Sequence, residues 1–271
     1  MKSTKQLFAI LVCASLLSCT TAADKKNVTG QTGAKLEGDP LMAEKLMLSI
    51  KEINDNAPAT INTSFSADGV NNGQKFKVEG TALFDRKGYY KIAVVDYVFR
   101  SKVIEAYREL DSLYFYYPAE KKLLIDAVNK IDIYRYTAFQ TSFELMHSLF
   151  TGGIPLIGLS KVTKCVAGDK PDSYNLMLQN NEYMQNIYFN SDIPERIMII
   201  HRTTRDRMEI YLKSSIKRNK GVFYKNIRIT APERNISANI NFISPLLDGV
   251  IEPEKFKCEV FKKDVEVIRI N

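Results

Sequence analysis

Cys19 is the residue whose neighbours most plainly prepare it for a reaction. Lys2 and Lys5 open the chain, an eleven-residue apolar run follows from Leu7 to Leu17, and the segment ends in Leu16-Leu17-Ser18-Cys19. An aliphatic residue at −3, a small one at −1 and then cysteine is the pattern of a bacterial lipobox. The chemistry needs these types: a thiolate at the new N-terminus accepts a diacylglyceryl group, and a small preceding side chain lets the peptidase reach the bond. The apolar run is too short for a hydrocarbon core of about 30 Å, so residues 1–18 read as a lipoprotein signal peptide and not an anchor helix. Cys13, inside that run, lacks the cleavage context. The plainer alternative is an ordinary signal peptide with an incidental cysteine at position 19.

His147 and His201 stand far apart and fit no metal-binding spacing; His147 reads as a packing or partly exposed residue of an apolar helix. Asp169 and Asp172 flank a Lys-Pro turn, where aspartate is expected for turn reasons alone. Gly152-Gly153 reads as a helix stop. No Gly-rich phosphate loop, nucleophile elbow or C-x-x-C is present, so neither a catalytic residue, a metal nor a cofactor is expected, and the chain does not read as an enzyme. Once Cys19 is acylated, Cys165 and Cys258 remain, either as a disulfide of an exported protein or as two isolated thiols.

The elements behind these residues follow from periodicity. Residues 20–40 carry almost no large apolar side chains, so 19–40 reads as a lipidated cysteine on a flexible tether. Thr20, where an Asp would suggest inner-membrane retention, favours the outer membrane, facing the periplasm. Asp39-Pro40 opens an amphipathic helix through Asn54, with Met42, Leu46, Ile50 and Ile53 on one face, and Ala57-Pro58 stops it. Period-two alternation then predicts strands over 75–85, 89–96, 103–110, 112–117 and 122–128. A second helix over 139–150 ends at Gly152-Gly153-Ile154-Pro155. Strands resume over 173–179, 183–190, 196–201, 207–217, 223–230 and 238–243, and the tail 265–270 alternates again. No composition shift divides residues 41–271, so they read as one α+β domain. With 38 basic against 31 acidic residues, the excess is modest and scattered. It suits anionic lipid headgroups or acidic partners and does not require nucleic acid.

In this order (lipobox, tether, helix, strand meander, helix with a Gly-Gly-x-Pro stop, more strands) the chain resembles the LolA/LolB-like lipoprotein-localisation carriers and receptors. The likeness rests on Phe84-Asp-Arg-Lys-Gly-Tyr-Tyr90, on Leu149-Phe-Thr-Gly-Gly-Ile-Pro155 and on the loop from Asn241-Phe to Pro253-Glu-Lys-Phe256. It implies an incomplete, strongly curved antiparallel β-barrel of about 10–12 strands closed by helices. It also implies an apolar hollow for the acyl chains of lipids or lipoproteins, and a periplasmic carrier protein as a partner. The lipid-binding residues would be Phe76, Val78, Phe84, Ile92, Val94, Phe115, Phe143 and Met146; the same residues could equally be ordinary core. The receptors present an apolar loop after the third strand, which here is Tyr97, Val98 and Phe99, a membrane-touching tip or a continuing strand. The Gly-Pro-Leu-Gly type of loop found in many receptors is missing. On the same fold type, a protein-docking or stress-sensing lipoprotein is the alternative function.

Overall fold

The computed structural model describes residues 36–127, 143–218, 221–262 and 264–269. The expected signal peptide, Cys19, nearly all of the expected tether and residues 139–142 of the second predicted helix lie outside these.

Helix α1 (Pro40–Asp55) forms where the spacing predicts it. The Asp39 side chain accepts a hydrogen bond from the Met42 amide at 3.0 Å, and Pro40 occupies a first-turn position whose amide would be orphaned anyway. Ala43, Leu46, Ile50 and Ile53 form its buried face. Its last carbonyls are met from the sheet: Arg86 donates to Asp55 O at 2.8 Å and to Asn54 O at 3.0 Å. A cation at that end also suits the helix dipole. The Phe84–Tyr90 hairpin therefore has a structural task, with Gly88 (φ +100°) making its turn.

The strands are β1 (Glu37–Gly38), β2 (Thr60–Asn71), β3 (Gln74–Asp85), β4 (Tyr89–Asp96), β5 (Lys102–Glu109), β6 (Ser112–Tyr117) and β7 (Lys122–Ala127). Helix α2 (Phe143–Phe150) follows. Then come β8 (Lys161–Ala167), β9 (Ser173–Gln179), β10 (Tyr183–Asn190), β11 (Ile193–His201), β12 (Arg207–Lys217), β13 (Val222–Ala231), β14 (Ile236–Leu247) and β15 (Glu266–Arg269). All fifteen join one open sheet in the order β1-β8-β9-β10-β11-β12-β13-β14-β2-β3-β4-β5-β6-β7-β15. The two meanders meet where β14 pairs with β2. Register shifts in four pairs bend the sheet locally.

The mostly-strand, unclosed architecture agrees with the expectation, and three details differ. Strands β1, β2 and β8 were not foreseen. The outermost pairs, β1 with β8 and β15 with β7, are parallel. The segment after β14 crosses the face of β4 and β5 that points away from α1 before it reaches the edge. There Phe256 packs on Tyr89 with ring centroids 6.2 Å apart, and the Cys258 amide donates to Glu109 Oε1 at 2.9 Å.

Candidate functional site

The sheet face that carries α1 is apolar almost from edge to edge. Cross-strand pairing aligns Cys165, Leu176, Ile187, Ile197 and Ile210 in one row over five adjacent strands, all of them buried. On the other side of the β14–β2 junction, the register sets Phe65, Gly80, Val94 and Ile104 in one row and Ala82, Ile92, Ala106 and Phe115 in the next. In the second half of the sheet rings lie over glycines of the neighbouring strand. A methyl group on Gly80 would stand 2.6 Å from the Phe65 ring and 2.3 Å from the Ala93 carbonyl oxygen. Gly69 accommodates the Phe76 ring in the same way, at 2.8 Å.

Six of the expected lining residues meet on this face. Val78, Phe84, Ile92, Val94 and Phe115 are buried members of one cluster, and Phe76 packs against it half-buried. The cluster includes the buried face of α1. Phe143 and Met146 lie on the backbone of α2.

The Tyr97-Val98-Phe99 segment is a tight turn between β4 and β5 and not a continuing strand. Asp96 Oδ1 accepts from the amides of Val98 at 2.9 Å and Phe99 at 2.8 Å, which forces both side chains outward. Each is 74% exposed. Tyr97 is held back by Lys77, whose ammonium sits 3.7 Å from the ring centroid, and Arg100 pairs with Glu79. The tip is thus two apolar side chains on a collar of mixed charge, Lys77 and Arg100 with Glu79 and Asp96. The same end of the sheet presents Leu159, fully exposed in the loop before β8 that Asn180 anchors through Gly158 O at 2.8 Å.

Two polar residues that the sequence did not single out fix the segment after α2. Asn54 on α1 exchanges two hydrogen bonds with Ile154, accepting from its amide at 2.6 Å and donating to its carbonyl at 3.1 Å. Gln185, fully buried on β10, accepts from the Ile157 amide at 3.0 Å and donates to Pro155 O at 2.6 Å. The Gly-Gly-Ile-Pro stretch is therefore bonded to the apolar face, where Ile154 and Ile157 add to the core. Paired polar groups cost little there and lose much when one partner is removed.

Cys165 and Cys258 are free thiols, so the disulfide alternative is not what forms. The reason is geometric. Cys165 lies in the apolar row beside Leu176, whereas Cys258 packs with Tyr107, Tyr116, Leu123 and Val260 on the opposite face. Burial pushes both thiols above the ordinary cysteine range.

The opposite face also holds a cleft of about 740 Å³ lined by Tyr188, Arg196, Tyr211 and Lys213, among others. The Arg196 guanidinium sits 4.9 Å from the Tyr188 ring centroid and 5.4 Å from that of Tyr211, and it donates to Glu209 at 3.0 Å. Burial raises the Glu209 carboxyl, but the Tyr211 hydroxyl and the charges of Arg196 and Arg207 outweigh it and hold the group below the usual range. Among the described residues no group of three His, Cys, Asp or Glu side chains is placed to hold a metal.

An open, largely antiparallel sheet with one apolar face and, among the described residues, two α-helices defines a class, and solved structures identify it. A DUF1329 family protein from Desulfovibrio piger superposes with a TM-score of 0.56 at 12% identity, over 81% of this chain and 98% of its own. A protein described as an outer membrane lipoprotein-sorting domain, from Vibrio parahaemolyticus, gives 0.58 at 11% identity, over 82% and 100%. A LolA superfamily protein from Nitrosomonas europaea gives 0.53 at 6% identity, over 80% and 98%. The chain has the LolA/LolB-like fold. No family model and no curated protein matches its sequence.

Proposed function

We propose that this protein is a lipid-anchored, non-enzymatic envelope protein that binds acyl chains on its apolar face and takes part in lipid or lipoprotein transfer at the outer membrane. One observation carries the reading. Fifteen strands at about 4.8 Å spacing make a face roughly 67 Å across, whereas a helix covers a strip only about 10–12 Å wide. Among the described residues two helices and the 149–157 segment serve that whole face. Eight strands already close around a filled interior, and the space grows with strand number. Such an apolar interior accepts hydrocarbon tails.

In this reading Cys19 carries the anchor, since several acyl chains hold a membrane where one gives only reversible binding. Val98 and Phe99 dip into the interface of the same bilayer, and the ligand comes from a lipid or a periplasmic carrier. Native mass spectrometry of the gently extracted full chain tests it. Fatty mass beyond the acyl groups on Cys19 is expected; repeated preparations without it, and without uptake of added palmitate, would sink the proposal.

Docking of a protein partner is the second reading, favoured by the Tyr188–Arg196–Tyr211 cleft on the other face, since tyrosine and arginine are the residues that dominate interfaces. Crosslinking that recovers one stoichiometric protein through Tyr211 and no lipid would favour it.

A further inference from the structure

We infer that Arg108 is the interior receptor for the anionic headgroup of the bound amphiphile, so that the ligand carries a carboxylate or phosphate beside its acyl chain. The inference rests on the acyl-binding reading above and specifies its ligand.

Arg108 is the largest fully buried side chain among the described residues, 1% exposed. Its strand register places it on the apolar face. Tyr90 on β4 and Leu113 on β6 are its direct neighbours, and both are completely buried. Its Nε donates to Leu110 O at 2.7 Å, which ties it to the β5–β6 turn. One terminal nitrogen, NH1, is sealed from the surface and has no hydrogen-bond partner among the described residues. No described carboxylate forms an ion pair with it. The nearest acid on this face by register is Asp126 on β7, two strands away or about 10 Å by strand spacing. The other buried acids, Glu105 and Glu209, point to the opposite face: Glu105 accepts from Tyr107 at 2.7 Å, and Glu209 pairs with Arg196.

An interior cation without an anion is costly, and arginine cannot escape the cost by losing its proton as lysine can. Its planar fork matches carboxylate and phosphate oxygens. Next to it along the strands lie the rows of Ile92, Ala106 and Phe115 and then of Val94 and Ile104, which would take the tail. A tail on those rows brings the head of a single-headed amphiphile to the guanidinium.

The test uses the full chain held in an amphipathic polymer and compares palmitate, hexadecyl phosphate and hexadecanol, which share a tail and differ in charge. The wild type binds the two anions more tightly than the alcohol. Arg108→Met, which keeps the bulk and removes a buried charge, weakens both anions roughly ten- to hundredfold, as loss of a charge-assisted hydrogen bond does. It leaves hexadecanol within about twofold, while Arg108→Lys retains part of the preference. Millimolar inorganic phosphate does not displace palmitate; displacement would overturn the inference in favour of a free-anion site. Equal affinity of the wild type for palmitate and hexadecanol overturns it without any variant, as does equal loss of all three ligands in Arg108→Met, and either leaves acyl binding standing. Failure of the wild type to bind any of the three removes the acyl-binding reading and this inference together.

Discussion

Val94→Trp separates an interior that receives a ligand from one filled by its own side chains. Val94 is fully buried between Gly80 on β3 and Ile104 on β5, at a register shift, with no helix residue as a direct backbone partner. In a filled core an indole at this point must displace packed neighbours, at about 1–3 kcal/mol. For a chain of this size each kcal/mol moves the melting temperature by roughly 2–4 °C, so the unliganded variant would melt roughly 2–12 °C lower. If the space is kept for hydrocarbon, the indole occupies it at little cost, and the unliganded variant melts within about 2 °C of the wild type. The difference then appears with ligand. Palmitate at a hundred times its dissociation constant stabilises the wild type by about 2.7 kcal/mol, or roughly 5–11 °C, and does nothing for the variant. Thermal unfolding followed by far-ultraviolet circular dichroism, across a palmitate titration, reads both quantities. A lower unliganded melting temperature together with an intact palmitate shift would refute the assignment, because the lipid would then bind elsewhere.

Three more expectations follow from single sites. Cys19→Ser removes the proposed acyl acceptor and should move the protein from the membrane fraction to the soluble one; retention in the membrane would show that something other than acylation of Cys19 anchors it. Phe99→Asp, on a side chain 74% exposed, should weaken sedimentation with anionic liposomes several-fold while leaving the melting temperature within about 1 °C; unchanged sedimentation would free the β4–β5 tip from any membrane role. Glu209 titrates lower in the folded chain than in the unfolded one, so its ionised form stabilises the fold above the ordinary glutamate range, and that contribution fades as pH falls through the folded value. The gap in melting temperature between wild type and Glu209→Gln should accordingly be widest near neutral pH and shrink below about pH 4; a gap constant from pH 7 to 3 would remove the carboxylate from the account.

How much of this was readable beforehand depends on where the information lies. Helix α1 was legible because its cap, its proline and its buried spacing are all local. Strands β3, β4 and β9 to β13 were legible because a sheet buried on one face writes a period of two into each strand. Strand β2 was missed because its share of the apolar rows is split with a neighbour: Gly69 sits where Phe76 of β3 supplies the ring, so a single-strand pattern looks weak although the pair is well filled. Strand β8 was missed because a register shift between Val162 and Lys164 breaks its alternation. The covered outer face of β5 could not be foreseen either, since the chain that covers it lies about 150 residues further on.

Arg108 falls between these cases. Counting by twos along β5 puts it in phase with Ile104 and Ala106, on the core side of a strand, so the sequence already places a permanent charge among apolar neighbours. A pattern search discounts such a residue as an imperfection in the alternation. The physical question is different: a charge that cannot be neutralised by proton loss has to be compensated, and among the described residues its one hydrogen-bond acceptor is the Leu110 carbonyl, with Asp126 two strands away and not paired to it. The flaw in the period is therefore the point at which the interior departs from ordinary core chemistry. Hydrophobic rows alone cannot distinguish a wall from a lining; the buried guanidinium set among them is what the comparison of palmitate with hexadecanol interrogates, because an apolar core rarely holds a charge without a partner.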